Sequence, residues 1–215
     1  MKTQRERMLK GVLYSSNDEE LRIQARLRKE VISRFNDESN LNSADKEKLL
    51  FGLFGHVGNG SFICWPFHCD YGCNVYVGDN FFANYDCIFL DENEIRIGNN
   101  VLLGPRVCIF TAGHPIDKDV RNSGLEYAHS VNIGNDVWLG GGVIINPGVK
   151  IGNDVIIGSG SVVTENIPSH VVAAGVPCRV MRKITMKDRN YWKKQKQIYD
   201  NDFGSFGFVS QKAKP

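Results

Sequence analysis

The sequence is poor in the features that mark several large protein classes. None of its apolar runs approaches the roughly 20 residues needed to cross a bilayer. The start, Met1-Lys2-Thr3-Gln4-Arg5-Glu6-Arg7-Met8, is charged, with no apolar stretch behind it of the kind that directs export. A soluble, cytoplasmic chain is expected. Charge of one sign is also scarce: 26 Lys and Arg stand against 24 Asp and Glu, a net +2, which supplies no field for wrapping nucleic acid or coating a membrane. The six cysteines (64, 69, 73, 87, 108 and 178) include no CxxC pair, so reduced structural thiols are expected in place of a zinc site, a redox pair or a disulfide framework. The five histidines share no spacing that would build a three-histidine metal site. Neither a GxxxxGK[ST] loop nor a GxGxxG turn is present for nucleotide phosphates. No metal is expected. Proline is sparse at 7 residues, but glycine is abundant at 22, about a tenth of the chain where roughly 7% is usual.

Three regions follow from the patterning. Residues 1–58 read as a helical segment: Ser16-x-x-Glu19 has the form of a capping box, Leu21, Ala25, Leu27, Val31 and Ile32 recur at helical spacing, and a second short helix spans about Lys46 to Phe54. Residues 59–183 lose helical periodicity and become short β-branched segments punctuated by Gly, Asn and Asp. Residues 184–215 form a polar C-terminal helix and tail, with Tyr191, Trp192, Ile198 and Tyr199 as packing anchors and a mobile end from Gly204 to Pro215.

The glycines of the middle region are in phase. From Ile133 the chain divides into IGNDVW, LGGGVI, INPGVK, IGNDVI, IGSGSV and VTENIP. Large aliphatics recur at Ile133, Leu139, Ile145, Ile151, Ile157 and Val163, and the position four residues on holds Val137, Val143, Val149, Val155, Ser161 and Ile167. Hairpin strands would alternate and reverse every eight to twelve residues; this pattern does neither. One inward aliphatic and one turn per six residues describe one side of a triangular prism, three units to a coil, with coils stacked about 4.8 Å apart. The fold expected is mainly β, a left-handed parallel β-helix, with Gly, Asn and Asp at corners that need left-handed backbone. Earlier units lie at Ile97 to Cys108, with a looser one at Val77 to Phe81.

The repeat breaks between Ile109 and Ile133, and a closed prism can only accommodate that as a loop extruded at one corner, residues 110–132. It carries Gly113-His114-Pro115 at its base, where flanking glycine and proline define the backbone of the histidine. His114 is the best general-base candidate in the chain, the ordinary alternative being a solvated loop histidine.

Several motifs outside the repeats share one order with a known family: Glu6-Arg7-Met8-Leu9, Cys69-Asp70-Tyr71-Gly72, Asn80-Phe81-Phe82-Ala83-Asn84, His114-Pro115-Ile116-Asp117, Arg121-Asn122-Ser123-Gly124, Val137-Trp138-Leu139-Gly140-Gly141 and Gly175-Val176-Pro177-Cys178-Arg179. In these the chain resembles the hexapeptide-repeat sugar O-acetyltransferases, most closely their maltose and galactoside branches. The resemblance implies an enzyme moving acetyl from acetyl-CoA to a sugar hydroxyl, with His114 as base and Glu126 orienting or steadying it. It implies acceptor contacts at Ser16, Asp70, Tyr71, Asn84, Asp91 and Glu92, although Asp70 and Asn84 also suit plain corner positions. It places Trp138, Gly141, Ser159 and Thr164 along the pantetheine arm and Arg179 and Arg182 near the nucleotide phosphates. It implies a homotrimer whose active sites lie between subunits. Two departures leave readings open. Ser16 stands where the galactoside branch is acidic, which admits an antibiotic or polysaccharide-precursor acceptor. Glu165 stands where the family usually has Lys, which admits weaker CoA binding or a non-catalytic scaffold.

Overall fold

The repeating aliphatics Ile133, Leu139, Ile145, Ile151, Ile157 and Val163 are buried throughout, because each coil lays its aliphatics on those of the coil before, Ile151 on Ile133, Ile157 on Leu139 and Val163 on Ile145. In the computed structural model, which describes residues 3–37 and 43–204, the coils form three parallel faces. The first holds strands His56–Val57, Val75–Val77, Ile95–Ile97, Val131–Ile133 and Lys150–Ile151. The second holds Phe62–Ile63, Phe82–Ala83, Leu102–Leu103, Trp138–Leu139, Val155–Ile157 and Val171–Ala174, closed by antiparallel Arg179–Lys183. The third holds Phe67–Cys69, Cys87–Leu90, Cys108–Phe110, Ile144–Ile145 and Val162–Val163. Parallel neighbours normally need a crossover of a dozen residues or more; here the crossover is the other two faces.

Register explains the uneven legibility of the repeat. Trp138 pairs with Ile156 and Ile144 with Val162, eighteen residues on, whereas Phe62 pairs with Phe82 and Val75 with Ile95, twenty residues on. The N-terminal coils are two residues longer than three hexapeptides, so the phase blurs there.

The corners divide their labour differently from expectation. On the edge between the first and second faces, left-handed backbone falls on Asn80, Asn100, Asp136 and Asp154, at φ 56°, 57°, 57° and 54°. These short polar residues tolerate that region. The glycines before them serve close approach: a Cβ on Gly134 would lie 2.4 Å from Asn153 Oδ1 and 2.8 Å from the Gly152 carbonyl carbon. Between these two positions runs a ladder in which each side-chain oxygen accepts the amide N–H of the preceding coil, Asn99 to Asn135 at 2.8 Å and Asn135 to Asn153 at 2.7 Å.

Both ends are closed by what the repeat lacks. Helices α1 (Gln4–Leu9), α2 (Glu19–Asn36) and α3 (Ser43–Leu53) precede the prism. Ile32, Phe35, Leu50, Leu53 and Phe54 join its core, with Phe54 packed edge-on to Phe67 at 5.7 Å. On α2 the expected stripe is corrected at Leu27, which is 51% exposed, while Phe35 is buried. At the other end Ser161 replaces the repeat's valine because its hydroxyl accepts the Gly175 N–H, at 3.0 Å, where the chain leaves the last coil. The loop between the third and first faces contains the short helix α4 (Lys118–Asn122). The C-terminal helix α5 (Met186–Phe203) buries no residue. Among the described residues its expected anchors Tyr191, Trp192, Ile198 and Tyr199 are exposed, Trp192 by 67%, with Tyr191 edge-on to Trp192 at 5.1 Å and Tyr199 against Phe203 at 5.1 Å. Of the segment from Gly204 to Pro215, all but Gly204 lies outside the described residues.

Candidate active site

The loop leaves the prism at the edge between the third and first faces, and its neck is bonded shut. Thr111 Oγ1 donates to the Leu90 carbonyl at 2.8 Å and accepts the Asn93 N–H at 2.9 Å, while the His129 N–H donates to the Thr111 carbonyl at 2.8 Å. The buried Asn93 amide donates to the carbonyls of Met8 and Ala128, tying α1 to the loop. Above this neck, Ala112–Gly113 pairs antiparallel with Leu125–Ala128, which pairs in turn with Tyr14–Ser15.

His114 follows that hairpin strand and is exposed. Gly113 pairs with Tyr127, the last pair of this ladder, which directly precedes His114 on one strand and follows Glu126 on the other. Gly113 is needed for space: a Cβ there would lie 2.6 Å from the Tyr127 ring. Beyond the histidine, Arg121 donates to the Pro115 and Ile116 carbonyls at 2.8 and 2.9 Å, and Asp117 caps α4. The histidine is thus held from both sides.

Acidic and hydroxyl groups converge on Glu126, in the paired strand of this hairpin. Glu126 Oε1 accepts from Ser16 at 2.8 Å and Oε2 from Tyr14 at 3.0 Å. Ser16 therefore does not cap α2; Asp18 does, accepting the Leu21 N–H. Burial pushes the Asp70 carboxyl up, and Glu126 adds to this. Burial and the Asp70 charge push Glu92 up to about 9. Glu92 Oε2 meets no donor among the described residues; protonated, Glu92 itself becomes the donor, and its partner is Asp70. The Asp70 charge beside it favours the protonated form of Glu92. Tyr71, pushed up by burial and these charges, closes the cluster.

Asp91 is turned inward. It is fully buried, and its carboxylate accepts the backbone N–H groups of Asp70, Tyr71 and Asn74 at 3.1, 2.9 and 3.4 Å. Burial outweighs these bonds and raises it to about 7. It shapes the turn that presents Asp70. Asn93 is a contributor that residue patterns did not single out, and Tyr14 and Arg121, which stand in motifs, had no role from pattern alone, because their partners lie far off in sequence or on backbone carbonyls.

The remaining candidates lie elsewhere. Asn84, Gly141 and Ser159 fall on the edge between the second and third faces, one face away from the carboxyl cluster. Asn84 Oδ1 accepts the Tyr85 N–H at 2.8 Å, as a corner residue would. Trp138 stands out from the second face, 52% exposed. Thr164 lies on the loop's edge in an open groove shared with Val12, Leu13, Tyr127, His129 and Pro147. Arg179 pairs with Glu165 at 3.2 Å, and Arg182 with Asp188 of α5 at 2.9 Å. Among the described residues no group of three or more His, Cys, Asp or Glu is arranged to hold a metal, and no helix is long and apolar enough to cross a membrane.

Residues 130–165 match the family model for the bacterial transferase hexapeptide (six repeats), and residues 7–58 match the maltose acetyltransferase hexapeptide capping motif. A maltose O-acetyltransferase from Clostridium difficile 630 is 51% identical over 86% of this chain and 98% of that chain, with a TM-score of 0.84. The galactoside O-acetyltransferase of Escherichia coli K12 is 40% identical over 90% of this chain and 95% of its own. A hexapeptide-repeat acetyltransferase from Vibrio cholerae, solved with acetyl coenzyme A, is 33% identical over 86% of this chain and 100% of that one, with a TM-score of 0.79. The prism is thus the left-handed parallel β-helix of the hexapeptide acyltransferases. Within that class the chain belongs to the hexapeptide-repeat sugar O-acetyltransferases, and it is an acetyl-CoA-dependent acetyltransferase.

Proposed function

We propose that the protein transfers acetyl from acetyl-CoA to a hydroxyl of a maltose-, glucose- or galactoside-like sugar, by direct attack with His114 as general base. The observation that carries this reading is the meeting of the His114 hairpin with the Asp70, Glu92, Glu126 and Tyr71 cluster at one prism edge. Carboxyls and phenols suit bidentate bonding to vicinal hydroxyls, and an aromatic ring suits the apolar face of a sugar. An alcohol proton is lost far above neutral pH. Attack on the thioester therefore needs a neutral imidazole to take the proton as the C–O bond forms, and that proton passes to the departing CoA sulfur as C–S breaks. No acyl-enzyme is required, and burial raises the thiols of Cys64, Cys69, Cys87, Cys108 and Cys178 away from nucleophilic form.

The donor site is read as lying between subunits. The outward residues of the second face are Phe62, Phe82, Leu102, Trp138, Ile156 and Val172, one register column. Those of the third face include Ile88, Cys108, Ile144 and Val162. The first face presents His56, Tyr76, Arg96, Asn132 and Lys150. Two apolar faces meeting at the edge of Asn84, Gly141 and Ser159 support a homotrimer in which that edge faces a neighbour's loop, uniting the two halves of the candidate site. The small residues there leave room for a pantetheine arm, and Arg179 suits a phosphate. All six cysteines are free, which accords with a reducing cytoplasm. The test is CoA release with maltose, glucose and thiogalactosides. His114→Ala is expected to lose roughly 100- to 10,000-fold in turnover; undiminished turnover would overturn the mechanism.

A further inference from the structure

The role of His114 as base leaves Tyr14 without a part, although its placement is specific. Tyr14 is 1% exposed and belongs to a small core of its own with Met8, Leu21, Tyr71 and Ala128, separate from the prism interior. Its strand forms the outer rung of the three-stranded sheet that carries the His114 hairpin, with Tyr14 directly opposite Glu126. A buried phenol finds an acceptor, and this one takes Glu126 Oε2 at 3.0 Å while Ser16 takes Oε1 at 2.8 Å. A glutamate side chain has three rotatable bonds. One donor on each oxygen fixes both the position and the plane of its carboxylate, leaving the other lone pairs open. Both donors come from a segment 110 residues or more distant in sequence, so the N-terminal arm and the loop must dock for the carboxylate to be set.

We propose that Tyr14 is a positioning residue for acetyl transfer: with Ser16 it fixes the Glu126 carboxylate in the hairpin that carries His114, so that the imidazole and the acceptor hydroxyl meet in one orientation. It acts through Glu126 and touches neither substrate. The idea rests on the reading of His114 as base, and the Gly113–Tyr127 pair, flanked by His114 and Glu126, supplies the link between the two residues.

The experiment is a double-mutant cycle of Tyr14→Phe and Glu126→Gln, read as kcat, KM for acetyl-CoA and melting temperature. Tyr14→Phe keeps the ring and removes one donor. A charge-assisted bond of this kind corresponds to roughly a tenfold loss in kcat or more when its geometry decides the reaction. The expected result is that loss with an unchanged acetyl-CoA KM and an unchanged melting temperature, and no further loss when Tyr14→Phe is added to Glu126→Gln. Ser16→Ala repeats the cycle without touching the small core, should the tyrosine variant prove unstable. Wild-type turnover in Tyr14→Phe, or a full additional loss on the Glu126→Gln background, would overturn the proposal. His114→Ala, run in parallel, separates the two ideas: an active histidine variant defeats the base itself, whereas an inactive one with an additive cycle defeats only the positioning role.

Discussion

The Arg179 guanidinium lies 3.2 Å from the Glu165 carboxylate, at the end of the prism where the chain leaves its last coil. Arg179 also donates to the Cys178 carbonyl at 2.9 Å. A phosphate reaching this guanidinium must displace an anion already there. Glu165→Gln is therefore expected to tighten CoA binding several-fold, with the gain shrinking as salt screens it. Calorimetric titration at low and high ionic strength checks this; unchanged affinity at low salt would remove Arg179 from the phosphate site.

Stability should fall as pH rises across the neutral range. Glu92 moves from an ordinary 4.5 to about 9 in the folded chain, and Asp91 from 3.8 to about 7. Between those limits the folded state keeps protons that the unfolded chain has released, so unfolding becomes easier with rising pH. Melting temperatures are expected to decline from pH 5 to pH 9. Glu92→Gln should flatten the decline above pH 7 while leaving the part due to Asp91 below it.

Gly134→Ala tests the corner packing. The added methyl meets backbone of the next coil at 2.8 Å, and stacked coils have no room to part at one corner alone. A loss of about 1–3 kcal/mol is expected, read as a lower midpoint in chemical unfolding, even though Gly134 is not in a left-handed conformation.

Leu102→Lys tests the assembly. Leu102 is 41% exposed in the middle of the apolar second face, where a monomer has no use for it. Sedimentation is expected to show monomer in place of the proposed trimer, with the circular dichroism of the prism retained and transfer activity lost. A variant that sediments like wild type would exclude this face from the interface.

The fold was legible where one residue type had to recur at a fixed interval. Six aliphatics at six-residue spacing admit little except a prism, and the break after Ile109 locates the loop without any structure. The signal weakened where local residues had two uses. Ser16 looks like a helix cap by spacing, yet its hydroxyl serves Glu126 and Asp18 takes the cap. Asp91 looks like a ligand beside Glu92, yet three backbone amides claim it. Trp192 looks like a packing anchor, yet among the described residues α5 buries none of its side chains.

What the sequence by itself determined is the prism, the place of the loop and the histidine on it, because coil stacking is local and each inward position must be filled by an aliphatic of similar size. What only the tertiary structure decided is which polar groups work together. Tyr14, Ser16 and Glu126 join across more than a hundred residues, and Asn84 and Asp70 part onto different edges. Such pairings depend on how the N-terminal arm docks and which edge a corner occupies, and burial there sets which carboxyls keep a proton.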